Sequence, residues 1–145
     1  MVMLHCGSAA EAIPNSCVLN LPSRNPSEDR VLTPPVLTSI MRAMVLAWEP
    51  DSGIVSSYEF HTHLRAEKGR RGSVGWLTYL SHHRGEVPPL PEAAHVESIE
   101  DKGTLVILTP ERLSAANAGQ ISLGRRIQDV LDTRDLLKPV LSTSR

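Results

Sequence analysis

The chain has 145 residues, 41% of them hydrophobic and 21% charged, with 15 Lys or Arg against 16 Asp or Glu for a formal charge of −1. That length suits one domain, since soluble domains run to about 100–200 residues. The composition excludes a disordered chain, a collagen-like repeat and a coiled coil. A nucleic-acid binder would show a basic excess to neutralise phosphates, and none is present. Aromatic residues make up 3% of the chain, so the core is expected to be aliphatic. Cys6 and Cys17 are too few for a disulfide framework and read as a buried reduced pair. The N-terminal MVMLHCGSAAEA lacks the basic start of a signal peptide. The longest apolar run, Ala43 to Trp48, falls far short of the ~20 residues that span a bilayer. The expected location is the cytoplasm.

In chain order, Val2-Met3-Leu4 and Cys17 to Leu21 read as short strands, and the polar stretch Ser23 to Arg30 as a loop. Thr33-Pro34-Pro35 reads as a helix start, with Thr33 as cap and Pro34 where its missing N–H costs nothing. Leu37, Ile40, Met41, Met44 and Trp48 then form one apolar stripe at spacings of three and four. Glu49-Pro50 ends the helix, because a residue before proline avoids the α region. Ile54 to Phe60 alternates and reads as a half-buried strand, followed by a charged loop from Arg65 to Gly72. Val74 to Leu80 carries large apolar groups on both faces, which predicts a central strand with Trp76 in the core.

The three prolines between Arg84 and Pro91 predict an extended surface loop. Val96 to Ile99 and Thr104 to Leu108 predict a hairpin, with Gly103 free to take positive φ. A last helix is expected from about Ser114 to Leu131, with Gly119 as an alternative, later start. The connections look too short for crossover helices. The expected class is therefore α+β: a mostly antiparallel sheet of about five to six strands with two main helices packed on one face.

Three clusters invite chemistry. His61, His63, His82 and His83 are candidate metal ligands. A zinc site needs three or four ligands in tight geometry, and no HExxH or CxxC supplies them, so polar histidines at strand ends are the plainer reading. Arg65, Lys68, Arg70 and Arg71 form the only basic cluster. Glu67 interrupts it and no aromatics interleave, so it reads as a solvated loop. Glu97, Glu100 and Asp101, with Glu86 and Glu92 nearby in sequence, form a small acidic patch that can meet a basic partner. No GxSxG elbow or phosphate-binding glycine loop is present. No catalytic, cofactor-binding or metal-binding residue is expected. A metal-dependent enzyme using His61, His63 and His82 or His83, and a nucleic-acid module on Arg65 to Arg71, stand as the alternatives to a protein acting by surface complementarity.

Several segments together resemble the immunity protein 52 family of bacterial polymorphic-toxin systems. They are Gly75-Trp76-Leu77-Thr78-Tyr79-Leu80-Ser81, Pro88-Pro89-Leu90-Pro91, Gly103 to Thr109, Arg126 to Leu131 and Leu136-Leu137-Lys138-Pro139. Upstream, His5-Cys6-Gly7, Asn15 to Leu19 and Trp48-Glu49-Pro50-Asp51 also fit. The resemblance runs from about Leu4 to Pro139 and is closest to the C-terminal part of the family, so residues 1–145 are expected to form a single immunity-type domain lacking an N-terminal half. It implies a non-enzymatic protein that neutralises a cognate toxin effector, often a restriction-endonuclease-like nuclease delivered by a type VI secretion system. The implied mechanism is stoichiometric occlusion of the toxin's active site, or blockage of its assembly, without turnover and with no direct nucleic-acid or membrane contact. The acidic residues Glu86, Glu92, Glu97, Glu100 and Asp101 are the expected toxin contacts. An exposed sheet edge would also favour pairing with a second copy.

Overall fold

A computed structural model describes residues 2–4, 16–21, 33–50, 52–68, 74–91, 93–114 and 116–137. Strands β1 (Val2–Leu4) and β2 (Ser16–Leu21) precede helix α1 (Pro34–Trp48). Strand β3 (Ser52–Ser57) runs directly into α2 (Tyr58–Lys68), and β4 (Leu77–Ser81) into a 3-10 turn over His82–Arg84. The hairpin β5 (His95–Ile99) and β6 (Gly103–Ile107) and the helix α3 (Ala118–Thr133) complete the fold. The chain is thus a mixed α/β protein with three helices and an open sheet. Its antiparallel core is β3-β4-β6-β5. Beyond β3 the backbone continues through β2 to β1.

Several expectations are corrected. Residues 58–60 belong to α2, where the alternation had suggested strand. A buried Phe60 followed four residues later by a buried Leu64 is helical spacing, and the charged residues from Arg65 to Lys68 continue that helix. The pairing of β2 with β3 is parallel, from Ser16 opposite Ser52 to Leu21 opposite Ser57. That pairing requires a crossover, and α1 supplies it.

The helices also cover both faces of the sheet. Gly53 and Tyr79 are cross-strand partners, and a Cβ on Gly53 would lie 2.8 Å from the Met41 sulfur, so α1 sits on their face. Thr78 points the other way. There its hydroxyl accepts from the Gly75 N–H at 3.0 Å, and the adjoining Val74 N–H donates to Gln128 of α3 at 3.4 Å. Gln128 also donates to the Leu64 carbonyl, and Gly124 packs against Phe60 and Leu64, which joins α3 to α2.

Helix α1 starts after Thr33, which has the extended backbone of a cap but makes no side-chain cap bond. It ends where Glu49 takes φ 47 and donates its N–H to the Val45 carbonyl. The later start of α3 is the observed one: Asn117 caps it by accepting from the Gln120 N–H. Strand β4 is buried at every position, as expected of a central strand. Trp76 lies in the core, with its indole N–H donating to the Thr109 carbonyl at 2.9 Å. Residues 85–91, the expected loop, have no regular secondary structure, and Val87 and Leu90 pack partly on the core.

Gly103 keeps an ordinary φ, and the positive value of 48° falls on Glu100. Glycine is needed at 103 because a Cβ there would lie 2.4 Å from the Leu80 carbonyl oxygen and 2.6 Å from the Tyr79 ring. Cys6, Ser23 to Arg30 and Lys138-Pro139 lie outside the described residues.

Candidate functional site

The hairpin β5–β6 and helix α1 build the surface that carries most of the expected contact residues. Glu97 stands on β5 beside His95, two residues away on the same face, with His95 Nε2 3.0 Å from Glu97 Oε1. Together with Pro34, Pro35 and Ile107 they line a groove of about 730 Å³ at the start of α1. Thr38 faces the same groove, and its Oγ1 is buried with no hydrogen-bond partner among the described residues.

Glu100 and Asp101 are exposed at the hairpin turn. Asp101 contributes to a second recess, of about 480 Å³, with Glu49, Lys102, His82 and His83. His82 Nδ1 lies 3.1 Å from the Asp101 carbonyl oxygen, a contact that requires the proton on Nδ1. Lys102 donates to Glu49, linking the hairpin to the end of α1. The bond to the Glu49 carboxylate, and then its charge, raise the Lys102 pKa above the ordinary lysine value of 10.5.

The expected acidic patch is therefore divided. Glu97 borders the groove at one end of α1, while Asp101 borders the recess at the other. Glu86 is exposed in the loop after the 3-10 turn, where Arg84 donates to the Leu136 carbonyl at 2.8 Å. Glu92 lies outside the described residues.

The histidines do not all stand where the sequence suggests. His61 and His63 stand on α2, not on a strand, and residues two apart on a helix point some 200° from each other. His82 and His83 are exposed in the 3-10 turn. Among the described residues, no group of three or more His, Cys, Asp or Glu is placed to hold a metal ion. Arg65 and Lys68 lie in the last turn of α2, and Arg70 and Arg71 outside the described residues.

Two surface features went unread in the sequence. The first is the outward face of α1. Val36 is 36% exposed, Leu46 41% and Trp48 48%, so Trp48 is no part of the buried stripe. Arg42 is the only charged residue between Pro34 and Trp48, and a surface helix so poor in charge was itself a signal. The second is strand β5, which ends the sheet and exposes His95, Val96 and Ser98. Its mixed composition beside the wholly apolar Leu105 to Leu108 marks an edge strand against a buried one.

An open strand edge, an apolar helix face and an acidic turn are the features by which one protein recognises another. The chain belongs to the immunity protein 52 family, whose family model matches residues 1–140. No curated protein matches the sequence. Among the described residues, no helix is long and apolar enough to cross a membrane.

Proposed function

We propose that this protein protects the cell that makes it by binding a cognate toxin effector and occluding its active site, one immunity protein per toxin, without turnover. The observation that carries the reading is the family match across residues 1–140. In this proposal the toxin is a restriction-endonuclease-like nuclease of a bacterial polymorphic-toxin system, delivered by a type VI or related secretion system, and it is met in the cytoplasm. A nuclease needs a basic cleft for its phosphate-bearing substrate. The exposed Glu100 and Asp101 at the hairpin turn offer that cleft an acidic counterpart, and Glu86, Glu92 and Glu97 are proposed as further contacts. The immunity protein itself then needs no contact with nucleic acid or membrane.

The test is co-expression with the toxin encoded by the adjacent gene. Growth should be rescued and the two proteins should co-purify in a fixed ratio. Absence of both rescue and binding would refute the reading. Glu100→Lys with Asp101→Lys should weaken protection while the circular dichroism spectrum stays unchanged. Full protection by that variant would move the contact face elsewhere.

A further inference from the structure

We infer that the β5 edge is a pairing surface for a second copy of this chain, joined antiparallel about a two-fold axis through Val96. The inference stands apart from the toxin reading, because it needs no toxin.

The ladder geometry fixes which β5 residues are available. In an antiparallel pair, residues alternate between those that bond their partner and those that direct N–H and C=O away from it. The Leu108 N–H donates to the Trp76 carbonyl and the His82 N–H to the Lys102 carbonyl, so even-numbered β6 positions bond toward β4. Odd-numbered positions of β6 therefore bond toward β5, where Leu105 faces Glu97 and Ile107 faces His95. That leaves Val96 and Ser98 directing their backbone groups outward from an edge that is open among the described residues. Both are exposed, Val96 at 45% despite its apolar side chain.

The side chains then select one partner and one register. With the axis at Val96, the two Val96 side chains oppose each other, and each His95 opposes Glu97 of the second copy on the α1 side. His95 and Glu97 occupy a non-hydrogen-bonded pair in this register, where Cα atoms approach to about 4.5 Å and side chains meet closely. The His95–Glu97 contact within each strand becomes a closed set of two histidines and two glutamates. The symmetric registers toward the turn are worse. An axis at Glu97 sets two carboxylates face to face, and an axis at Ser98 sets Val96 against Glu100. The strand is thus self-complementary in one arrangement, as a two-fold interface requires.

Sedimentation of the purified full chain, without toxin, across a dilution series tests the idea. Wild type should sediment as a dimer at high concentration. Val96→Lys and His95→Glu should each give a monomer. The double variant His95→Glu/Glu97→His should restore the dimer by exchanging the two partners of the pair. Val96→Cys should cross-link between copies in excess of wild type, because opposed residues of a hydrogen-bonded pair have Cα atoms about 5.5 Å apart, within the disulfide range of about 4.4–6.8 Å. Ser98→Cys should not, since the two Ser98 residues would lie about 13 Å apart along the strands. A monomeric wild type, even one whose toxin binding is lost in Val96→Lys, would overturn the assignment of a second copy to this edge. A dimer that survives both single charge variants, or that cross-links equally through Ser98→Cys, would overturn the register.

Discussion

Helices α1 and α3 are of nearly equal length and lie against opposite faces of one sheet, yet they are held by different physics. The buried positions of α1 are Leu37, Met41, Met44 and Val45, all apolar. Those of α3 include Gln120 and Gln128, whose amides tie separate segments together. Gln128 takes the Val74 N–H and donates to the Leu64 carbonyl. Gln120 takes the Ser114 N–H and donates to the Arg112 carbonyl. Outward, the contrast reverses. Helix α3 shows Arg126 and Asp129 to water, whereas α1 shows Val36, Leu46 and Trp48. One helix is a directional clamp with a solvated back. The other is a nondirectional slab with apolar groups on both sides.

The largest effect should come from emptying the α1 contact. Leu37→Ala or Met41→Ala is expected to cost about 2–5 kcal/mol in urea denaturation, the usual range for a buried aliphatic truncated in a packed core. A loss below about 1 kcal/mol would break the view that burial alone holds α1. Next, Gln128→Leu leaves the Val74 N–H without its acceptor and removes the side-chain bond to the Leu64 carbonyl, for an expected loss of about 1–3 kcal/mol and faster hydrogen exchange at Val74. Equal exchange in the variant would mean that α3 is held by packing like α1. Third, Val36→Lys or Leu46→Lys should change stability by no more than about 0.5 kcal/mol, since both side chains are already exposed. A larger loss would show the outer α1 face to be covered.

The smallest effect concerns the Glu49–Lys102 link. The Lys102 pKa is raised in the folded state, so the stability it contributes is fully present below pH 10.5 and is lost as pH rises through the higher folded value. Lys102→Met should remove that alkaline dependence and lose the same small contribution at neutral pH, so that the stabilities of wild type and variant in denaturation converge as the pH rises through the folded value.

The sequence made the antiparallel hairpin and the central strand legible, because alternation and apolar runs are local signals. Leu105 to Leu108 could only be buried, and Glu100-Asp101-Lys102 could only be a turn. It hid α2, because Ile54, Tyr58 and Phe60 share a parity that also satisfies a strand, and only the Phe60–Leu64 spacing distinguishes helix. It hid the crossover role of α1, because sequence order alone does not say that β2 and β3 lie side by side. Glu86, Glu100 and Asp101 were readable as exposed. The placement of Glu97 and Asp101 at two separate recesses was not, because it depends on where α1 begins and ends on the sheet. The self-complementarity of His95, Val96 and Glu97 was written in three consecutive letters, but it acquires meaning only once β5 is known to be an edge.

The parallel pairing of β2 with β3 bears on the order in which the chain assembles. Ile99 meets Gly103 across a tight turn, whereas Ser16 must find Ser52 across the whole of α1. Closing a long loop costs more entropy before any contact rewards it, so strand pairs distant in sequence form late. The β5–β6 hairpin should therefore form early and dock β4, with β2 arriving at β3 last. Until it does, β3 offers an unpaired flank on the newly made chain. The moment at which the molecule is most prone to stray association is then set by how fast α1 folds down and carries its two neighbouring strands together.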